Sequence, residues 1–102
     1  MREFEIYVPL HYNDRSPIES EKLDTLRQRL FDYFGGLTDT RQSNAGAWKV
    51  GNVVFHDDIV IYRVLAVKQH PARRFLMDLK EELERELRQQ EILIVERKIE
   101  VL

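Results

Sequence analysis

The spacing of the apolar residues changes between two periods along this chain, and the order of those periods constrains the fold more than any other feature of the 102 residues. Residues 3–10 alternate between apolar and other side chains, which is typical of a strand with one buried face. From Leu23 onwards, apolar residues recur every three or four positions, which indicates an amphipathic helix. Gly35-Gly36 should end that helix, because glycine tolerates the left-handed conformation of a helix C-terminus.

The middle of the chain returns to strand-like composition. Residues 53–67 are dense in β-branched and aromatic side chains and predict one long strand, interrupted by a bulge near Asp57-Asp58. Gly51-Asn52 is a two-residue hairpin signal, so we expect the hairpin to turn there. His56-Asp57-Asp58 is the alternative tip.

The remaining segments complete a regular order of elements. Residues 37–52 are polar and loop-like in their middle part, with Trp48 near the end of the stretch, and they lead into the hairpin turn. Residues 72–90 predict a second amphipathic helix, and residues 91–102 predict a last strand. The order β-α-β-β-α-β predicts a ferredoxin-like α+β sandwich in a single domain over residues 1–102. Its antiparallel four-stranded sheet should have the order 4-1-3-2, with both helices on one face.

Composition narrows the class of function. The net charge is −2, which argues against nucleic-acid binding, since that usually needs a basic excess. The chain has no cysteine, which excludes disulfides, cysteine-ligated zinc and thiol catalysis. We find no signal peptide and no membrane span, so we expect a soluble cytoplasmic protein without a membrane partner. No motif calls for a cofactor.

The predicted topology brings several titratable residues to one end of the sheet. His11, Asp14, His56, Asp57 and Asp58 should meet there, where the first strand ends and the central hairpin turns. His11, His56, Asp57 and Asp58 are therefore candidate catalytic residues, as a histidine–aspartate acid–base pair or as metal ligands. Their spacing matches no known metal motif, so no metal site is predicted. The alternative is that the stretch after the first strand holds only turn residues.

The opposite end of the sheet is more basic. Lys68, Arg73 and Arg74 surround the start of the second helix, where cations are unfavourable, so they are candidates for binding an anion. The alternative is that the arginines pair with Asp78 or Glu81 one turn further along the helix.

The third predicted strand is apolar on both of its faces. A sheet with helices on one side should be polar on the other, so we expect a second copy of the chain to cover the open face in a twofold homodimer. The residues expected at the dimer interface are Ile59, Ile61, Arg63, Leu65 and Val67. Val60, Val64 and Ala66 should face the helices, and Glu5 should be able to pair with Arg63.

The segment Gly36-Leu37-Thr38, followed by Gly46-x-Trp48, resembles the motif of a family of small bacterial proteins that has no established activity. The opening strand "FEIYVPL" belongs to the same resemblance, which runs loosely over most of the chain. The resemblance implies a compact ferredoxin-like fold and a bacterial origin. It implies nothing catalytic.

Three functions remain open from the sequence. The first is a homodimeric interaction module, whose small-molecule or protein partner is unknown. The second is a small dimeric αβ-barrel-type enzyme. Its pocket candidates are Tyr7, Tyr12, Tyr33, Trp48, His11, His56 and Arg63. The third is weak single-stranded RNA binding, for which Tyr7 and Tyr62 would supply stacking aromatics.

Overall fold

Two helices and a four-stranded antiparallel sheet form the described part of the chain, which in the computed structural model comprises residues 1–42, 48–55 and 58–102. The elements are β1 (Arg2–Pro9), α1 (Ser20–Phe34), β2 (Thr38–Gln42), β3 (Trp48–Val50), β4 (Val53–Phe55), β5 (Ile59–Ala66), α2 (Gln69–Glu86) and β6 (Leu93–Lys98). The main sheet has the strand order β2-β5-β1-β6, and β3 and β4 form a separate two-stranded sheet. The predicted α+β class is confirmed.

The main core lies between the helices and one face of the sheet, which we call the inner face. Because side chains alternate along a strand, the even-numbered residues of β1 and β5 all point to this face. The largest of these buried side chains are Phe4, Ile6, Val8, Val60, Tyr62 and Val64. Leu30, Leu76 and Leu79 of the two helices pack against them. The prediction that Val60, Val64 and Ala66 face the helices is confirmed.

Helix α1 ends as its glycines predict. Gly35 has a φ of 81°, and its N–H donates to the carbonyl of Phe31 at 2.8 Å. A side chain at this position would strain the backbone, so glycine is needed here for its conformation.

Neither helix of the described residues combines the length and the apolar character that crossing a membrane requires.

Residues 37–52, which the sequence shows as loop-like in their middle part, contain a strand on each side of that middle. The first part of this range contains β2, which pairs with β5 in the main sheet, and the last part contains β3. Strand β2 is an edge strand with the sequence TDTRQ. Backbone hydrogen bonds to β5 hold it in the sheet, so it shows no apolar alternation that a sequence pattern could detect.

The predicted long strand over residues 53–67 is divided between two sheets. Gly51-Asn52 does form a hairpin turn, but it joins β3 to β4 rather than two strands of the main sheet. The alternative tip at His56-Asp57 and the bulge expected beside it fall outside the described residues.

The β3–β4 hairpin, residues 48–55, covers half of the sheet face that the helices leave open, which we call the outer face. Phe55 of the hairpin stacks on Tyr7 with 5.7 Å between the ring centroids, and Ile59 and Ile61 are buried beside them. The side chains packed around this cluster are Val50, Val53, Leu93 and Val95. The hairpin explains why the first half of β5 is apolar on both faces, since Ile59 and Ile61 on the outer face meet apolar residues of the same chain.

We predict that Phe55→Ala destabilises the fold by about 3 kcal/mol, because it removes a buried aromatic ring and exposes the apolar half of the outer face. Urea unfolding followed by circular dichroism measures this change. Val54→Ala is the matched control on the same strand; its side chain is exposed, so the expected change is below about 0.5 kcal/mol. Equal losses in the two variants would show that the hairpin does not rest on the sheet.

Candidate functional site

The connection between β1 and α1 is a narrow turn held by backbone hydrogen bonds. The N–H of Tyr12 donates to the carbonyl of Ser16 at 2.8 Å. The carboxylate of Asp14 accepts hydrogen bonds from the hydroxyl and the backbone N–H of Ser16, and these bonds lower the pKa of Asp14. Asp14 therefore stabilises the turn, as the alternative interpretation of this stretch predicts.

The side chain of Tyr12 joins this turn to both helices. Its buried hydroxyl donates to the carboxylate of Glu19 and accepts a hydrogen bond of 2.7 Å from Lys22 Nζ. Lys22 Nζ also donates to the carbonyl of Glu86 at the end of α2, at 3.0 Å. The hydrogen bond from Tyr12 lowers the pKa of Glu19 and the one to Tyr12 raises the pKa of Lys22, so both groups keep their charges in the folded state.

A cleft opens beside this network, between the β1–α1 turn, the β3–β4 hairpin and the α2–β6 turn. It has a volume of about 820 Å³ and is lined by Asn13, Asn52, Val53, Val54, Gln89, Gln90, Glu91 and Leu93. Because four of these side chains are carboxamides, we call it the amide cleft. A recess of about 100 Å³ adjoins it and shares five of its residues, and His11 and Tyr12 also line the recess.

The walls of the amide cleft are fixed to one another. Asn13 Nδ2 donates to the carbonyl of Arg88 at 3.3 Å, which connects the β1–α1 turn to the α2–β6 turn. Arg88 has a φ of 54°, a left-handed conformation that turns the chain sharply after α2. The N–H of Leu10 donates to the carbonyl of Asp58 at 3.2 Å, which positions the end of β1 beside the start of β5.

Of the four candidate catalytic residues predicted from the sequence, the structure describes two, His11 and Asp58. His11 lines the recess, and its Nδ1 atom is buried without a hydrogen-bond partner among the described residues. Asp58 contributes its backbone carbonyl nearby, whereas His56 and Asp57 fall outside the described residues. Within residues 1–42, 48–55 and 58–102, no three histidine or acidic side chains come together as a metal ion would require.

The basic end of the sheet contains one arginine that is already paired. Arg73 Nε lies 2.9 Å from Glu96 Oε1 on β6, rather than near either of the two acidic residues of α2 that the sequence offered. Arg74 and Lys68 make no ion pair within the described part of the chain. The anion site therefore stays a prediction, and it depends on these two cations.

A charged cluster occupies the half of the outer face that the hairpin does not cover. Glu5 is only 4% exposed, and its two carboxylate oxygens accept hydrogen bonds from Arg63 at 2.9 Å and Arg97 at 2.5 Å. Arg97 also donates to Glu3 at 2.9 Å. We call Glu3, Glu5, Arg63 and Arg97 the charged quartet. The hydrogen bonds to Glu5 raise the pKa of both guanidinium groups.

The predicted pairing of Glu5 with Arg63 is confirmed, and Arg97 is the residue that sequence reasoning missed. The signal for Arg97 was present in β6, where alternation places Leu93, Val95 and Arg97 on the same face. The register of β6 against β1 then brings Arg97 opposite Glu3.

Three of the tyrosines named for an enzyme pocket or an RNA surface have different surroundings, and the side chain of Trp48 falls outside the described part of the structure. Tyr62 is fully buried under the helices, and Tyr7 is covered by Phe55. Burial raises the pKa of both hydroxyls. Tyr33 stacks on Phe75, with 3.9 Å between the ring centroids. The sheet face therefore offers no stacking position on either of the tyrosines expected to bind RNA.

No protein-family model, no curated protein and no solved structure matches this chain. The family resemblance that begins at Gly36-Leu37-Thr38 therefore stays a prediction. Gly46, in the second half of the motif, falls outside the described residues. The function has to be inferred from the geometry alone.

We predict that Tyr12→Phe lowers the free energy of unfolding by about 1 kcal/mol at neutral pH, because it removes a buried hydroxyl with two hydrogen bonds. The low pKa of Glu19 means that its carboxylate stabilises the fold above its ordinary pKa of 4.5, and that this contribution is lost as the pH falls through the folded-state pKa. The difference between variant and wild type should therefore shrink in acid.

Urea unfolding at pH 7 and at about pH 3, below the reference pKa of a glutamate, measures that difference. Tyr33→Phe is the matched control. Tyr33 is half-exposed, so removing its hydroxyl should change the free energy of unfolding little at either pH. An equal destabilisation by Tyr12→Phe at both pH values would contradict a role for the Glu19 carboxylate.

We predict that Glu5→Gln destabilises the fold by about 2 kcal/mol, because two arginines lose a shared, buried carboxylate. Glu91→Gln is the control: its ion pair with Lys80 is exposed, and the expected change is below about 0.5 kcal/mol. Thermal or urea unfolding at low salt measures both. A Glu5→Gln variant as stable as wild type would mean that water replaces the carboxylate without cost.

Proposed function

We propose that this chain is a small binding module that forms a twofold homodimer through the half of its outer sheet face that the hairpin leaves uncovered. The observation that carries the proposal is an exposed apolar strip on that face: Leu65 is 44% exposed and Val67 is 78% exposed. Single exposed apolar residues are ordinary on a protein surface, but a row of them on a sheet face is typical of an interaction site.

We also propose that the fold is a variant of the ferredoxin-like sandwich with an inserted hairpin. The strand order supports this. When the β3–β4 hairpin is left out, β1, β2, β5 and β6 count as strands 1 to 4, and the observed order read from β6 to β2 is 4-1-3-2. Packing of both helices against the inner face supports it as well. An experimental structure with another strand order would refute the assignment.

The apolar strip follows from the register of the three central strands. Leu65 lies opposite Glu3 on the outer face. Val67 and Met1 follow directly beyond the ends of β5 and β1, where continued alternation places them one row further along the same face. Ile99 joins this row on the other side, where its N–H donates to the carbonyl of Met1 at 3.1 Å. We call Met1, Leu65, Val67 and Ile99 the apolar strip.

The charges beside the strip fit a second copy of the same chain. The charged quartet contains two carboxylates and two guanidinium groups, all paired within one chain. A twofold interface places a patch against itself, so a patch of one sign would repel its copy, whereas a neutral patch does not. The strip then supplies apolar area that two copies can bury against each other.

The surface proposed here is smaller than the interface expected from the sequence. The hairpin of the same chain already buries Ile59 and Ile61, so these two residues need no partner. Arg63, Leu65 and Val67 remain in the proposed interface, and Met1 and Ile99 are added to it.

Native mass spectrometry and sedimentation velocity on the full chain test the proposal. We expect a dimer for the wild type and at least a tenfold weaker dimer for Val67→Glu, equivalent to about 1.4 kcal/mol, because each subunit would bury an unpaired carboxylate in the interface. Met77→Glu is the matched control: Met77 is 57% exposed on α2, away from the sheet face, and the variant should dimerise like the wild type.

Two results would overturn the proposal. A wild type that stays monomeric at about 100 μM would exclude a homodimer of useful affinity. A dimer that Val67→Glu leaves unchanged would place the interface elsewhere on the molecule.

A further inference from the structure

Strand β6 is an outer strand of the main sheet, so one row of its backbone groups faces away from β1. The N–H of Ile99 donates to the carbonyl of Met1, and hydrogen-bonded positions alternate along an antiparallel pair. The residues of this segment that bond to β1 are therefore Leu93, Val95, Arg97 and Ile99. The intervening residues, which we call the free edge, are Ile94, Glu96, Lys98 and Glu100. No hydrogen bond within the described part of the chain uses the N–H or C=O groups of the free edge.

Side chains of α2 close the outward row at one end. Ile92 precedes β6, and alternation places its backbone groups in the same row as the free edge. The N–H of Ile92 donates to Glu84 Oε2 at 3.0 Å, and its carbonyl accepts a hydrogen bond from Lys80 Nζ. A further strand can therefore bond to the free edge but not to Ile92.

The free edge is complementary to itself in one register. A twofold, antiparallel pairing of β6 with β6 of a second copy places the symmetry axis at one residue. An axis at any β6 residue before Arg97 sets a member of the free edge opposite the capped Ile92. An axis at Lys98 sets two lysines directly opposite each other, which is unfavourable. An axis at Arg97 pairs the whole free edge and sets Glu96 opposite the oppositely charged Lys98 of the second copy.

The register with its axis at Arg97 also joins apolar side chains on the outer face. Val95 comes opposite Ile99 of the second copy, and Leu93 comes opposite Val101. Val101 is 64% exposed in the single chain, and in this register it lies beside the apolar part of the amide cleft, to which Leu93 belongs. The two Arg97 side chains meet at the axis, where each already pairs with two carboxylates of its own copy.

We infer that β6 pairs with β6 of a second copy about a twofold axis at Arg97, so that two main sheets become one continuous sheet. Both copies then keep their helices on the same side, which requires an axis perpendicular to the sheet. The homodimer proposed above sets two outer faces against each other, which requires an axis parallel to the sheet. The two contacts are therefore independent, and together they give a tetramer with D2 symmetry.

Edge pairing should be weaker than the contact between outer faces. Its backbone hydrogen bonds replace hydrogen bonds to water, so each contributes little net free energy. Ordering the exposed residues that follow β6 also costs conformational entropy. We expect a dissociation constant of about 1 mM, at which half of the chains are paired when the total concentration is about 1 mM. The test of the homodimer at about 100 μM then detects little edge pairing.

Amide hydrogen exchange of the ¹⁵N-labelled full chain, measured by NMR at about 50 μM and about 1 mM, tests the pairing. The amides of the free edge should exchange about twofold more slowly at the higher concentration, because half of them are then bonded to a second copy. The amides of Leu93, Val95 and Arg97 bond to β1 in each chain and should exchange alike at both concentrations. Contact between outer faces bonds no amide of the free edge, so a failure of the proposed homodimer leaves this pattern intact.

A sample that mixes ¹³C-labelled and unlabelled chains tests the register. Val95 and Ile99 lie four residues apart on one extended segment, so their side chains are about 13 Å apart within a chain. Isotope-filtered NOEs between the methyl groups of Val95 and Ile99 therefore arise between copies, and we expect to observe them at about 1 mM.

Two substitutions of Lys98 should abolish the concentration dependence. Lys98→Pro removes an outward N–H and fills the space that a partner strand needs, while every hydrogen bond to β1 is kept. Lys98→Glu leaves the backbone unchanged and sets like charges opposite each other, since Glu96 of the second copy faces this position. Arg41→Pro is the matched control: it removes an outward N–H from β2 at the opposite edge of the sheet and should behave as the wild type does.

The inference is overturned if the amides of the free edge exchange at the same rate at both concentrations. Slowing that the amides of Leu93 and Val95 share would reflect a change in the stability of the whole chain and would also overturn it. Slowing that persists in both Lys98 variants, or the absence of NOEs between Val95 and Ile99, would refute the axis at Arg97.

Discussion

The packing of the β3–β4 hairpin against the outer face of the sheet is the contact on which most other features of this molecule depend. An antiparallel sheet with helices on one side must either be polar on its other side or have that side covered. In this chain, one half of the outer face is covered and the other half is polar. Phe55 covers Tyr7, Ile59 and Ile61 in one half, and the charged quartet occupies the other. The hairpin also forms one wall of the amide cleft.

The buried carboxylate of Glu5 marks the boundary between the two halves. Burying a carboxylate is costly unless it is paired, and two arginines from the neighbouring strands on either side supply the pairs. The quartet keeps this half of the face neutral without extra chain to cover it. The apolar strip is left exposed at the end of the sheet, beyond the part of the outer face that the hairpin covers.

Several features of the fold could be predicted from residues that are close to one another along the chain. Alternation predicted which side chains of β5 face the helices, and it predicted the pairing of Glu5 with Arg63. The glycine at position 35 predicted the end of α1. The position of strand β2 was not predicted, because an exposed edge strand is held by backbone hydrogen bonds, which leave no apolar pattern. The separate hairpin was missed because residues 53–67 have the composition of one continuous strand.

The sequence by itself determined the α+β class, the two amphipathic helices and the alternation that orients each strand. These depend on periodicity, which is a local property of the chain. Only the tertiary structure decided which surface covers the outer face, that Arg97 joins Glu5, and that Asn13, Gln89 and His11 line adjoining cavities. The physical reason is that each of these contacts joins residues far apart in sequence, and their distance is set by strand register and by turns whose geometry no local pattern encodes.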